Sequence, residues 1–94
     1  MPDTSATWVV VVTYNGIAQT LDCLESVFRL QPPPRHVVVV DNASRDGTPA
    51  VLAQRFPRVT LVANASNLGY AEGANIGFRR ALAGGAEYVL LLNN

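Results

Sequence analysis

The chain has 94 residues, 49% hydrophobic and 15% charged, which is enough apolar content for one packed domain and too much for a disordered segment. Seven basic residues balance seven acidic ones, so the broad electrostatic footprint of a nucleic-acid or anionic-membrane binder is excluded. Cys23 is the one cysteine and allows no intrachain disulfide, and no apolar run approaches the ~20 residues of a membrane-spanning helix.

MPDTSA, residues 1–6, is short and polar and is expected to be a flexible tail before a domain over 7–94. No cationic, cleavable leader opens the chain, so the cytoplasm is the expected location; membrane association is left to a longer parent. WVVVV (8–12) is an unbroken β-branched run, as a strand covered on both faces requires. The same type of run returns as HVVVV (36–40), VTLVA (59–63) and YVLLL (88–92), and four buried strands are predicted near 8–13, 36–41, 59–63 and 87–92.

Helices fill the intervals. Ile17, Leu21, Leu24 and Phe28 recur at helical spacing, and Pro32 to Pro34 stop that helix. Thr48 followed by Pro49 reads as an N-cap with proline at the first helical position, and Val51, Leu52 and Phe56 supply an apolar face. Ala74, Phe78, Ala81 and Leu82 form the face of a third helix, ended by Gly84 and Gly85.

Strands alternating with helices imply a Rossmann-like α/β fold, a parallel sheet wound by right-handed crossovers. Winding outward and then back past the first strand gives the order 3-2-1-4, with the crevice between the carboxyl ends of strands one and four. Those ends are TYNG (13–16) and Asn93-Asn94.

The first turn, TYNGIAQT, lacks the G-x-G-x-x-G of dinucleotide sites, which disfavours NAD, FAD and S-adenosylmethionine. It offers Tyr14 for stacking on a base, with Thr13 and Asn15 as hydrogen-bonding groups; alternatively Asn15 and Gly16 only turn the chain and Tyr14 caps the sheet. DNASRDGT (41–48) puts Asp41 at a strand tip, either as acceptor for a ribose hydroxyl or base N–H, or as a partner of loop amides. NLGYAEGANIG (67–77) has glycines at 69, 73 and 77; each costs a helix about 1 kcal/mol relative to alanine, so close backbone approach must offset them. Gly69 is assigned to a site and Gly77 to packing. His36 and Cys23 have no neighbours in sequence that suggest a metal or catalytic set.

Taken together, VVVVTYNG, VVVVDNASRDGT, NLGYAEGANIG and YVLLLNN resemble, in order and spacing, the N-terminal nucleotide-sugar-binding half of family 2 glycosyltransferases, rhamnosyltransferase-like members in particular. The resemblance implies a glycosyltransferase A fold and inverting transfer from a nucleotide-diphosphate sugar such as a UDP- or dTDP-sugar, with Mg²⁺ or Mn²⁺, to a glycan or lipid-linked acceptor. It places Thr13, Tyr14, Asn15, Asp41, Asn67, Gly69 and Asn75 at the nucleotide sugar, with Asp41 on the base. Asn93 and Asn94 match the start of the family's acidic metal motif, whose aspartate would follow, and the catalytic base is expected downstream. The expectation is therefore a fragment inactive by itself, the alternative a non-catalytic nucleotide-binding or interaction module.

Overall fold

The computed structural model describes residues 6–93. The expected tail, Ala6 apart, and Asn94 of the expected metal motif lie outside them. The elements follow in the order β1 (Thr7–Thr13), α1 (Ile17–Phe28), β2 (His36–Asp41), α2 (Thr48–Arg55), β3 (Thr60–Ala63), α3 (Tyr70–Ala83) and β4 (Tyr88–Asn93). The sheet is parallel with the order β3-β2-β1-β4, as the alternation of strands and helices predicts.

Strand pleating divides the core into two layers. Val9 and Val11 of β1 join Val37 and Val39 of β2 against Leu24 and Val27 of α1 and Leu52 of α2. Trp8, Val10 and Val12 join Val38 and Val40 against Ala74 and Ala81 of α3. The central strands are buried on both faces, which explains their unbroken valine runs. The expectation of four buried strands holds only for these two: β3 is half-buried, and Tyr88 and Leu90 of β4 are exposed. Both are edge strands of a four-stranded sheet, where helices cover less.

Two local readings need correction. Thr48 is not the N-cap of α2; Gly47 holds that position at φ 82°, and Asp46 accepts bonds from both the main-chain N–H and the hydroxyl of Thr48. Leu82 is 67% exposed, because the face of α3 that meets the sheet is built on Gly73, Ala74, Gly77 and Ala81.

That face lies close against β1. A Cβ added to Gly77 would lie 2.2 Å from Cγ1 of Val10, one on Gly73 2.9 Å from Cγ1 of Val12, and one on Gly84 2.3 Å from Cη2 of Trp8. The helix therefore runs along β1 with backbone against side chain, and its glycines are fixed by space rather than by conformation. The Trp8 indole is also tilted against His36 at a centroid distance of 4.3 Å, so His36 is an aromatic neighbour at the amino end of the sheet.

Gly77→Ala tests this contact. Alanine gains about 1 kcal/mol of helix propensity but overpacks a site with no room, at a cost of about 1–3 kcal/mol, and the steric effect should win. Denaturant unfolding should show a lower midpoint for Gly77→Ala, whereas Asn75→Ala on the exposed side of the same helix should change stability by less than about 0.5 kcal/mol.

Candidate functional site

A cavity of about 500 Å³ opens at the carboxyl end of β1. Its walls are the β1 end and following turn (Val12 to Gly16), Gln19 of α1, Asn42 after β2, and Asn67, Gly69 and Tyr70 at the start of α3. A second hollow of about 490 Å³ adjoins it, sharing Tyr14 and Asn67 and adding Ser44, Arg45, Asn64 and Ser66. Tyr14, 51% exposed, stands between the two with its ring free on the surface.

The crevice was expected between the ends of β1 and β4, at TYNG and Asn93-Asn94. Among the described residues its walls come from the ends of β1 and β2 and from α3, because α3 crosses directly over β1 and brings its first turn there; Asn94 lies outside them. The β4 end is adjacent, since Asn93 pairs with Val12.

The loops after β1 and β2 are latched together. Asn15, at φ 51°, donates its N–H to Ser44 Oγ (2.8 Å), and its side-chain Oδ1 accepts the Arg45 N–H (2.7 Å). Ile17 N–H donates to Asp46 Oδ2 (3.2 Å). Behind them Asp41, 1% exposed, takes the Ser44 hydroxyl on Oδ1 (2.5 Å) and the Ser44 N–H on Oδ2 (3.0 Å). Both carboxylates thus order the loops that frame the cavity, and neither is among the residues lining it.

Of the residues singled out from sequence, Thr13, Tyr14, Asn15, Asn67 and Gly69 meet at the cavity. Thr13 is buried, its hydroxyl 2.8 Å from that of Thr20. Gly69, at φ 85°, needs its glycine for conformation, and its N–H donates to Asn67 Oδ1 (2.8 Å). Asp41 lies beneath the latch. Asn75 is exposed on α3 and does not line the cavity, because the residues on either side of it turn Gly73, Ala74 and Gly77 to the sheet. Gln19, Asn42 and Tyr70 line the cavity without having been expected there. Helical spacing could have flagged Gln19, one turn after Asn15; the other two depend on tertiary crossings.

The cavity lining is neutral and polar. Among the described residues it contains hydroxyls, amides and main-chain groups but no carboxylate, imidazole or thiol, and no three acidic, histidine or cysteine side chains converge as a metal set. A hard divalent cation seeks anionic oxygen, so these residues do not by themselves hold one. Cys23 packs at the margin of the α1 layer, where burial pushes its thiol up.

A parallel α/β sheet with a polar cavity at the carboxyl ends of its strands defines the class of open α/β domains that take ligands at the strand ends. Within that class the chain belongs to glycosyl transferase family 2, whose profile spans residues 8–94. It is 39% identical over 67 residues to the N-acetylglucosaminyl-diphospho-decaprenol L-rhamnosyltransferase of Mycobacterium tuberculosis, a match covering 71% of this chain and 22% of that one. It is 34% identical over 86 residues to the dTDP-rhamnosyl transferase RfbF of Shigella flexneri, covering 92% of this chain and 28% of the relative. Among solved structures, the mannosyltransferase PcManGT from Pyrobaculum calidifontis, in complex with GDP-Man and Mn²⁺, superposes with a TM-score of 0.64 at 34% identity, covering 86% of this chain and 26% of the other. The chain thus spans less than a third of the length of these relatives.

The latch carries a pH signature. The Asp46 carboxyl is held below its ordinary value, chiefly by the bond from the Thr48 hydroxyl, with desolvation opposing and the N–H groups of Thr48 and Ile17 adding. The unfolded chain then takes up this proton first, so the contribution of Asp46 is full above the ordinary carboxylate range and is lost as pH falls through the lowered value. Thermal melts of the natural chain and Asp46→Asn should differ most near neutral pH, the natural chain being the more stable, and converge as pH falls below the ordinary carboxylate range.

Proposed function

We propose that this chain forms the donor-nucleotide half of a glycosyltransferase that moves a sugar, with inversion, from a UDP- or dTDP-sugar to a glycan or lipid-linked acceptor. The observation that carries this reading is the polar cavity that gathers Thr13, Tyr14, Asn15, Asn67 and Gly69 at the strand ends of a chain belonging to glycosyl transferase family 2. Names of relatives support the donor class: one is a dTDP-rhamnosyl transferase, and the mannosyltransferase structure holds GDP-Man.

Each wall has a task in this reading. The exposed Tyr14 ring is a platform for the base. Asn67 offers hydrogen bonds to sugar hydroxyls, and Thr13 lines the pocket beneath them. The first amides of α3, with no side-chain cap, open beside Gly69 and Tyr70, where the positive end of the helix dipole favours a diphosphate. Asp41 recognises a base N–H by exchanging the Ser44 hydroxyl that it now accepts. Asn75 has no task in the cavity.

Transfer requires a group that removes the proton of the acceptor hydroxyl while the anomeric carbon becomes oxocarbenium-like. Among the described residues the lining offers hydroxyls and amides, and this reading gives the segment the binding and orientation of the donor. The Mg²⁺ or Mn²⁺ of such a reaction would neutralise charge on the leaving diphosphate and would draw its anionic ligands from outside the cavity lining. Neutral amides and hydroxyls then grip the donor without competing for that charge.

Titration with UDP, dTDP and GDP, and with the corresponding nucleosides, tests the reading. Diphosphates should bind more tightly than nucleosides. Tyr14→Ala should weaken binding by about 1–3 kcal/mol if the ring stacks on a base, and Asp41→Asn by about 1.5–3 kcal/mol if the carboxylate takes a base N–H. Folded wild-type protein that binds none of them would favour an interaction module instead.

A further inference from the structure

We propose that Asn42 is a positioning residue that sets the 67–69 wall of the cavity against the β1 wall, and that it thereby controls affinity for the donor; the second half rests on the nucleotide reading above. Asn42 is 2% exposed, sits one residue beyond β2 and touches three separate segments. Its Nδ2 donates to the main-chain carbonyl of Gly69 (3.1 Å). Its Oδ1 accepts from Nδ2 of Asn64 (2.9 Å) and from the main-chain N–H of Leu68 (3.4 Å). Its own N–H donates to Thr13 O (2.9 Å), which ties the same residue to the β1 wall.

No other side chain does this. The two main-chain partners are of opposite kind, a carbonyl that only accepts and an N–H that only donates, so the amide is needed in one orientation. Aspartate has the same shape but sets an unprotonated oxygen against the Gly69 carbonyl. Leucine leaves both main-chain groups unpaired. Longer glutamine carries its amide one methylene further and out of register with both partners, beside a helix that stays clear of this amide by having glycine at 73, where an added Cβ would lie 3.1 Å from Asn42 Nδ2.

The segment that Asn42 holds has little else to fix it. Asn67, Leu68, Gly69 and Tyr70 are all exposed, and Gly69 adopts a backbone conformation that other residues rarely take. Gly69 is also the N-cap of α3, so a shift of this short stretch moves the first amides of that helix. Asn42 thus acts on bound nucleotide through main chain that it does not itself contribute.

Wild type, Asn42→Asp and Asn42→Ser are compared by amide hydrogen exchange and by titration with UDP, dTDP and GDP in the presence of Mn²⁺. In both variants exchange at Leu68 and Gly69, whose N–H groups are bonded in this stretch, should accelerate at least ten-fold while β1 and β2 amides stay protected, and affinity for the nucleotide that wild type binds best should fall at least ten-fold. Unchanged exchange at Leu68 and Gly69 in a folded variant would overturn the positioning role. Faster exchange with unchanged affinity would overturn the link from wall to donor. Slower folding or global loss of protection in Asn42→Asp alone leaves Asn42→Ser to decide, and global loss in both would show a residue of the fold rather than of the site, against the proposal. Absence of binding by wild type would sink the nucleotide reading itself, whereas the exchange result would still decide whether Asn42 holds the wall.

Discussion

Everything at the carboxyl end of the sheet depends on how closely α3 approaches β1. Glycines at 73, 77 and 84 leave room for Val12, Val10 and Trp8, so the helix backbone rests on the side chains of the central strand. A helix faced with leucine would stand off by the thickness of a side chain. Its first turn would then miss the β1 end, and Asn67, Gly69 and Tyr70 could not share a cavity with Thr13 and Tyr14. The helix gives up propensity at its glycines, and gains a location.

The polar groups around the cavity divide into those that frame and those that face. Asp41, Ser44, Asp46, and the main chain of Asn15 and Ile17 are consumed in joining two loops. Tyr14 and Gln19, with Asn67, face the cavity, above a Thr13 whose hydroxyl meets that of Thr20. In the free chain these carboxylates serve the loops and neutral polarity faces the cavity; in the donor reading Asp41 is the one that exchanges its loop partner for a base. That division suits a donor whose own diphosphate carries the charge.

Valine runs separated by helical spacing made the topology legible, because a doubly covered parallel strand has few alternatives to an unbroken β-branched sequence. The turn after β1 was legible for a similar reason: polar residues at the tip of a buried strand have one direction in which to point. Burial at the edges was not, since YVLLL is as apolar as WVVVV although its place at the edge leaves Leu90 exposed. Leu82 misled because apolar spacing ranks residues by size, whereas this interface selects for the smallest. Asn42 was invisible as a tie between three segments, for its partners Asn64, Leu68 and Gly69 follow 22 to 27 positions later. The role of Asp41 was readable only as a pair of alternatives, and the loop contacts with Ser44 are the ones that the fold makes.

The bond between Asn15 and the second loop has a mechanical consequence. Two of the three walls, those after β1 and β2, are cross-braced at Asn15, Ser44, Arg45 and Asp46 and yield together or not at all. The third wall is held to them by the buried Asn42 amide and by the seating of α3 on β1. The cavity is therefore joined in two ways, by polar cross-bracing between the first two loops and by helix-on-strand contact at the third.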